Sequence, residues 1–358
     1  MQHHSRGGSA ADEAVLGLDI GGTKLAAGVV RADGTLLSFA VCPTGAQDGP
    51  EAGLKRLFDL GEEALTRAAP PGSRPLRLTG TGIGCGGPLD SAAGVLQCPP
   101  HLPGWTDVPV VARAAERFGM PAVLDNDGTA GAAGEWRFGA GRDSRHLLYL
   151  TVSTGIGGGA VLDGRTFRGA AGNGGEPGHV TVRSGGRLCR GCGRHGCLEA
   201  YASGTSIAER AADAVAEAAT AGVHTTLAAC DPLTAAEVSA AAGEGDPVAL
   251  EVWQETVHTL ADGLTSLVNL FEPDLLVLGG GVTRSGDQLL APVRRLVAAQ
   301  AMGPAARAVR ITRAARGEHN GVLGAAAVAF ERLTPALDGR PAAGTTDDAD
   351  RTTVEPHA

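Results

Sequence analysis

The chain has 358 residues, 43% of them hydrophobic and 19% charged, with a formal net charge of −9. That balance excludes a wholly disordered polymer, and the length suits two cores rather than one. No apolar run approaches the roughly 20 residues of a membrane helix, no apolar leader follows MQHHSRGGSA, and no Lys/Arg cluster marks a nucleic-acid surface.

In chain order, residues 1–13 are polar and are expected to be disordered. Val15 to Ile20 is a short apolar run followed by Gly21-Gly22, a second run from Leu25 to Val30, an Asp33-Gly34 turn, and Thr35 to Phe39. Strand, glycine turn, strand, Asp-Gly turn, strand is an antiparallel meander. Helical spacing follows over Glu51 to Ala68, a buried strand over Arg77 to Ile83, helical spacing over Val108 to Phe118, and a strand over Ala122 to Asp125. The opening grammar then returns: Leu147 to Val152, turns at Thr154-Gly155 and Gly157-Gly158-Gly159, Ala160 to Leu162, and Asp163-Gly164. Helices are expected over Ser206 to Ala218 and Leu250 to Leu270, and a strand over Leu275 to Leu278. The tail from 334 to 358 is too polar to offset its chain entropy and is expected to be disordered.

Two copies of one meander argue for two related α/β domains facing a cleft. The expected division is a smaller domain over 14–131, completed by a helix near 321–333, and a larger one over 132–320. Glycine is abundant, 55 of 358 residues, and its clustering between apolar runs suggests many tight turns. Of 30 basic residues only Lys24 and Lys55 are lysines, a skew that a GC-rich genome explains and that draws attention to Lys24.

Asp19-Ile20-Gly21-Gly22-Thr23-Lys24 joins two strands. Glycines at such a bend let backbone N–H groups approach phosphate oxygens, Thr23 adds a hydroxyl and Lys24 a positive charge, and Asp19 suits the waters around Mg²⁺. A Walker A loop needs GxxxxGK[ST], which is absent, and a dinucleotide fingerprint must open a helix, whereas Leu25 to Val30 is strand-like. The bland alternative is a hairpin that binds nothing. Further glycine turns at Thr154-Gly155 and Gly279-Gly280-Gly281 favour nucleotide binding.

Asp125-Asn126-Asp127 ends a strand and precedes a small-residue helix from Gly128 to Trp136. A carboxylate at a strand end in an interdomain cleft is suited to general-base work, although the same three residues could simply cap the helix. Four of the seven cysteines are scattered, while Cys189, Cys192 and Cys197 lie together ten residues after His179. One His and three Cys make a closed structural Zn²⁺ shell, and an odd count with one tight cluster points to reduced thiols in the cytoplasm.

LGLDIGGTK, TVSTGIGGG, GEPGH and CGRHGCLEAYASG, in that order, resemble the ROK family of sugar kinases and sugar-responsive repressors, over roughly Val15 to Phe330. The resemblance implies the two-domain actin-like, hexokinase-type (ribonuclease H-like) α/β fold, with duplicated meander domains around a cleft. It implies an ATP- and Mg²⁺-dependent hexose kinase that phosphorylates the 6-hydroxyl of glucose. Asp127 would be the base, and Gly87, Asn126, Asp127, Glu176, His179 and Glu199 would hold the sugar. Asp19, Gly21, Gly22, Thr23, Lys24, Thr154, Gly155, Gly279, Gly280 and Gly281 would hold the nucleotide. His179, Cys189, Cys192 and Cys197 would bind Zn²⁺, with one more residue between the first two cysteines than the family spacing Cys-x-Cys. If one His179 nitrogen ligates zinc, the other can only offer N–H to a sugar oxygen. A homodimer or homotetramer is implied, acting on a small sugar, without nucleic acid or membrane. Downstream of Asn126-Asp127 the family's Ala-Asn-Ala is replaced by Gly128-Thr129-Ala130, which touches helix packing only.

The same catalytic set would serve an N-acylated amino sugar such as N-acetylmannosamine or N-acetylglucosamine. A sugar-sensing repressor needs a helix-turn-helix ahead of the phosphate turn, and the roughly fourteen residues there carry no helical periodicity. A non-enzymatic ATP-binding module is disfavoured by the intact Asn126-Asp127 and Glu176/His179 set.

Overall fold

The computed structural model describes residues 13–70, 72 and 76–334. The segments expected to be disordered fall outside these residues, apart from their inner ends. Glu13 departs from that expectation: it is the buried first residue of a strand and pairs with Arg77 at 2.5 Å.

The first half runs β1 (Glu13–Ile20), β2 (Lys24–Arg31), β3 (Leu36–Pro43), α1 (Gly49–Ala68), β4 (Arg77–Cys85), the short hairpin β5 (Leu89–Asp90) and β6 (Val95–Leu96), α2 (Val110–Phe118), β7 (Ala122–Asn126) and α3 (Asp127–Phe138). The second runs β8 (Leu147–Val152), β9 (Ile156–Leu162), β10 (Arg165–Phe167), α4 (Glu199–Ala202), α5 (Gly204–Ala221), α6 (Ala235–Gly243), α7 (Pro247–Phe271), β11 (Leu275–Gly279), α8 (Asp287–Gln300), α9 (Gly303–Ala308), β12 (Arg310–Arg313) and α10 (Asn320–Leu333). None of the described helices is long and apolar enough to cross a membrane.

Both meanders form, although Gly157-Gly158-Gly159, expected as a turn, lies inside β9 and pairs with β8, and each meander grows into the same five-stranded sheet. The first has strand order β3-β2-β1-β4-β7, the second β10-β9-β8-β11-β12. In each, three antiparallel strands are followed by two parallel ones. Strand β1 reads as a continuous apolar run because both of its faces are covered. Leu16, Leu18 and Ile20 meet Leu54 and Leu57 of α1, while Val15 meets Val322 and Phe330 of α10. On β8 the alternation is equally clear: Leu148, Leu150 and Val152 join Leu260 and Leu264 of α7, and Tyr149 joins Ala132 of α3.

Helices α3 and α10 cross each other, α10 lying on the first sheet and α3 reaching β8 and β9 of the second. The division expected at residue 131 falls inside α3. The helix crossing uses glycine in a way the turn-based reading did not anticipate. A Cβ on Gly82 of β4 would overlap the Ala325 carbonyl of α10, one on Gly324 of α10 the Ala130 carbonyl of α3, and one on Gly128 of α3 the Gly158 carbonyl of β9. Much of the glycine therefore lets backbones touch across layers.

Helix α8 had no predicted counterpart, since Pro292 sits inside it. Its missing N–H leaves the Gln288 carbonyl without its usual helical donor, and the Trp253 indole N–H of α7 donates to that oxygen at 3.4 Å. Helix α7 starts where Asp246 accepts from the Val248 and Ala249 amides, both at 3.0 Å.

Gly82→Ala is expected to lower the unfolding free energy by about 3 kcal/mol, since the Ala325 backbone has no free side chain to move aside. Gly243→Ala, at the open end of α6, should leave it equal or higher. Urea denaturation of both variants checks the contrast.

Candidate active site

Ile20 ends β1 in one register row with Cys85 of β4 and Asn126 of β7, and Asp19 lies one row back with Gly84 and Asp125, so three strand ends lie side by side. The turn after Asp19 is clamped from β3: the Thr44 hydroxyl donates to Gly21 O at 2.6 Å, and the Thr44 amide to Thr23 O at 3.0 Å. The Gly21 amide is spent inside the hairpin on Lys24 O, at 3.0 Å. Gly21 thus contributes the bend rather than a free N–H, and Thr23 and Lys24 stand exposed at the tip.

Asn126 and Asp127 divide the labour at the start of α3. Asn126 is the helix cap, its Oδ1 accepting from the Gly128 amide at 2.8 Å and the Thr129 amide at 3.4 Å. Capping and ligand binding are therefore compatible, because the Nδ2 of the same amide stays clear of the helix. Asp127 is the first helical residue, with Oδ1 held by the Gly128 amide at 2.8 Å and Oδ2 outside that contact, on a side chain that solvent reaches. Asp125 caps nothing. It is fully buried and takes the Arg168 Nε at 2.8 Å.

Electrostatics mark the cleft as a collection of like charges. Burial, then the neighbouring Asp127 carboxylate, push Asp19 up to about 7 against the pull of Lys24. Asp127 is reached by solvent but walled by protein at the cleft floor, and this loss of hydration raises its pKa. Glu176 is raised for the same reason, with further upward pushes from Asp127 and Glu199. The N-terminus of α10 abuts Asp19: a side chain on Gly321 would collide with its carboxylate.

Across the cleft, Glu176 precedes a single helical turn over Pro177–His179. Glu199, at the start of α4, accepts from the Ile156 amide at 2.8 Å, and Gly155 leaves the room it needs. Gly87 stands near the Asn126 Nδ2 and the Asn173 Oδ1. The structure thus gathers Asp19, Gly87, Asn126, Asp127, Glu176, His179 and Glu199 around one opening. Beside it, a cavity of about 750 Å³ is lined by Thr154, Gly204, Ser239, Gly281 and Ser285. Of the predicted glycine triplet only Gly281 lines this cavity. Gly279 ends β11 against the Tyr149 hydroxyl, and Gly280 turns the chain at φ 88° tight against Val152.

Three residues of the region carried no sequence signal. His101 packs against Gly22 and Gly86, senses the Asp127 charge, and is held below the ordinary histidine range by burial. Asn173 donates to Leu89 O at 3.4 Å, and Arg168 to Asp125. Each sits in a loop or at a strand end, where no periodicity exists to expose it.

The four residues expected to bind zinc lie close together. One ligand atom from each of His179, Cys189, Cys192 and Cys197 lies within 4.8 Å of the others. His179 Nδ1 and Cys189 Sγ are 3.7 Å apart, and Cys192 Sγ and Cys197 Sγ 3.5 Å, too long for a disulfide. Tetrahedral zinc with bonds of about 2.3 Å to sulfur has edges of about 3.7 Å, so the donor set fits that ion. The extra residue between Cys189 and Cys192 is absorbed in a tight turn, closed by Gly193 N–H to Cys189 O at 2.8 Å.

Residues 15–332 match the ROK family. The chain belongs to the ROK family. It is 33% identical to a glucokinase of Thermotoga maritima, covering 89% of this chain and 98% of that one. It is 35% identical to an N-acetylmannosamine kinase of Citrobacter koseri, covering 88% and 98%. A ROK family glucokinase from Streptomyces griseus, solved in complex with glucose and AMPPNP, superposes with a TM-score of 0.69 at 33% identity, over 88% of this chain and 98% of that one. The expected hexokinase-type α/β fold is the one this ROK protein has.

Proposed function

We propose that this protein is an ATP-dependent hexose kinase that transfers the γ-phosphoryl group of ATP to the 6-hydroxyl of glucose. The observation that carries this is the meeting of Asp127 with Asn126, Glu176, His179 and Glu199 at one opening, beside a cavity of nucleotide size. Relatives of both glucokinase and N-acetylmannosamine kinase name support a sugar substrate.

In this mechanism Glu176, His179 and Glu199 accept and donate to sugar hydroxyls, while Asn126 Nδ2 and the bare backbone at Gly87 close the other side. Asp127 Oδ1 is occupied by the Gly128 amide, so Oδ2 takes the proton as the 6-oxygen attacks phosphorus. Proton removal asks little of the protein beyond position and charge, which is what phosphoryl transfer requires. The Thr23–Lys24 tip and the Thr154–Gly155 turn hold the phosphates, and the cavity at Gly281 takes base and ribose. Mg²⁺ accompanying ATP would be met through water by Asp19, where two facing carboxylates suit a divalent cation.

Zinc at His179, Cys189, Cys192 and Cys197 would brace the ribbon carrying Glu199 and fix the His179 tautomer. With Nδ1 toward Cys189, His179 Nε2 carries the proton and donates to a sugar oxygen. A homodimer or homotetramer in the cytoplasm completes the proposal.

A coupled ADP-release assay over glucose, mannose, fructose, N-acetylglucosamine and N-acetylmannosamine tests the reaction. Turnover confined to an N-acetyl sugar would replace the substrate and keep the mechanism, and no turnover with any of them would end the kinase proposal. Asp127→Asn should lower kcat by at least about 100-fold with glucose KM nearly unchanged. The base works ionised and burial raises its pKa, so kcat/KM should fall as pH drops through a value above the ordinary carboxylate range. An acid limb in the ordinary carboxylate range would contradict this assignment. Removing zinc with a chelator should weaken glucose binding about tenfold in calorimetry and leave binding of an ATP analogue within about twofold.

A further inference from the structure

The segment between β10 and Glu176 is a glycine-rich loop that begins at Arg168. Its base is closed by the Gly174 amide on Arg168 O at 2.8 Å. Beside that closure the loop is tied to the first half of the chain by Asn173 Nδ2 on Leu89 O, at 3.4 Å. The loop ends on Glu176, so whatever fixes its base also fixes one wall of the opening.

The Arg168 side chain is that fixture. Its Nε donates to Asp125 Oδ2 at 2.8 Å, and a terminal nitrogen donates to Glu331 Oε2 of α10 at 3.1 Å. Asp125 is completely buried, and its other oxygen accepts the Asn126 backbone amide at 3.1 Å. Glu331 is in turn held by the Thr166 hydroxyl, at 2.7 and 2.8 Å. Arg332, the neighbouring cation, is committed elsewhere, donating to Leu124 O at 3.0 Å. One guanidinium therefore connects the loop bearing Glu176 to the backbone of the residue that caps α3 and precedes Asp127.

A buried ion pair by itself is weak support for anything beyond packing. Here the placement is more specific. The carboxylate bound by Arg168 is bonded directly to the backbone on which Asn126 and Asp127 are mounted, and the Arg168 backbone carbonyl closes the opposing loop. We infer that Arg168 is a positioning residue for the phosphoryl-transfer reaction, holding the sugar-side loop at Glu176 in register with the Asn126–Asp127 turn through Asp125. This rests on the kinase proposal above. The two-pronged contact needs a planar fork: a lysine can neutralise one carboxylate but cannot bridge Asp125 and Glu331 with the same geometry.

The test is steady-state kinetics of the parent, Arg168→Met and Arg168→Lys, varying glucose and Mg-ATP separately, together with thermal melting of each protein. Arg168→Met should raise glucose KM at least tenfold and lower kcat, with Mg-ATP KM within twofold of the parent. Arg168→Lys should recover the melting temperature while glucose KM stays at least threefold raised. A merely structural role would lower the melting temperature and leave both KM values at parental levels below it, and that result overturns the inference. An equal rise in both KM values overturns it as well. If Arg168→Met does not fold, the glucose KM of Arg168→Lys decides, a parental value counting against the inference. A parent that turns over no sugar fails the kinase proposal and the inference with it. An active parent with parental Arg168 variants fails the inference alone.

Discussion

At the junction of β7 and α3 the Asn126 side chain accepts two amides of the helix it begins, and the rest of the site is arranged around that contact. The cap fixes where the helix starts, which puts Asp127 at its first position with one oxygen on the Gly128 amide and the other outside that contact. It also sets Gly128 against Gly158, so the second sheet lies against the helix at backbone distance. Local capping chemistry, worth about 1 kcal/mol in an ordinary helix, here decides the aim of a carboxylate and the spacing of two layers.

That spacing depends on glycine across the whole interior. Gly82, Gly324 and Gly128 let β4, α10, α3 and β9 stack without side chains between them. The close stack keeps the strand ends of the first sheet beside those of the second. It also brings the N-terminus of α10 onto Asp19, where the positive end of a helix dipole favours a carboxylate that burial and Asp127 disfavour. The cleft thus holds Asp19, Asp127 and Glu176 with their pKa values raised, in surroundings that favour the arrival of a positively charged partner.

The cysteine ribbon has a different logic. Its segment from 180 to 198 has few strand contacts of its own, limited to single bridges such as Thr181 with Cys197 and Leu188 with His195. A metal ion held by the four ligand atoms that lie within 4.8 Å of one another would order such a stretch. The ribbon then delivers Glu199 to the Ile156 amide, which sits at the same turn as Gly155.

Much of the architecture was legible in the chain. The twice-repeated strand–turn–strand grammar corresponds to two sheets of identical strand order, because period-two patterning and Asp-Gly turns are local properties. The clustering of His179, Cys189, Cys192 and Cys197 and the cap at Asn126–Asp127 were legible as well, since their spacing is short. Helix α8 was not, because its internal proline is tolerated only where Trp253 supplies a donor from another helix. The glycines that let layers touch were not legible either, since a backbone contact between distant layers leaves no local trace. Arg168, Asn173 and His101 were invisible for the same reason: their partners lie 43, 84 and 79 positions away, at Asp125, Leu89 and Gly22. Local sequence determined which residues bend the chain, which cap its helices and which thiols cluster. Only the tertiary structure decided which of them face one another, because that follows from how closely the layers can approach.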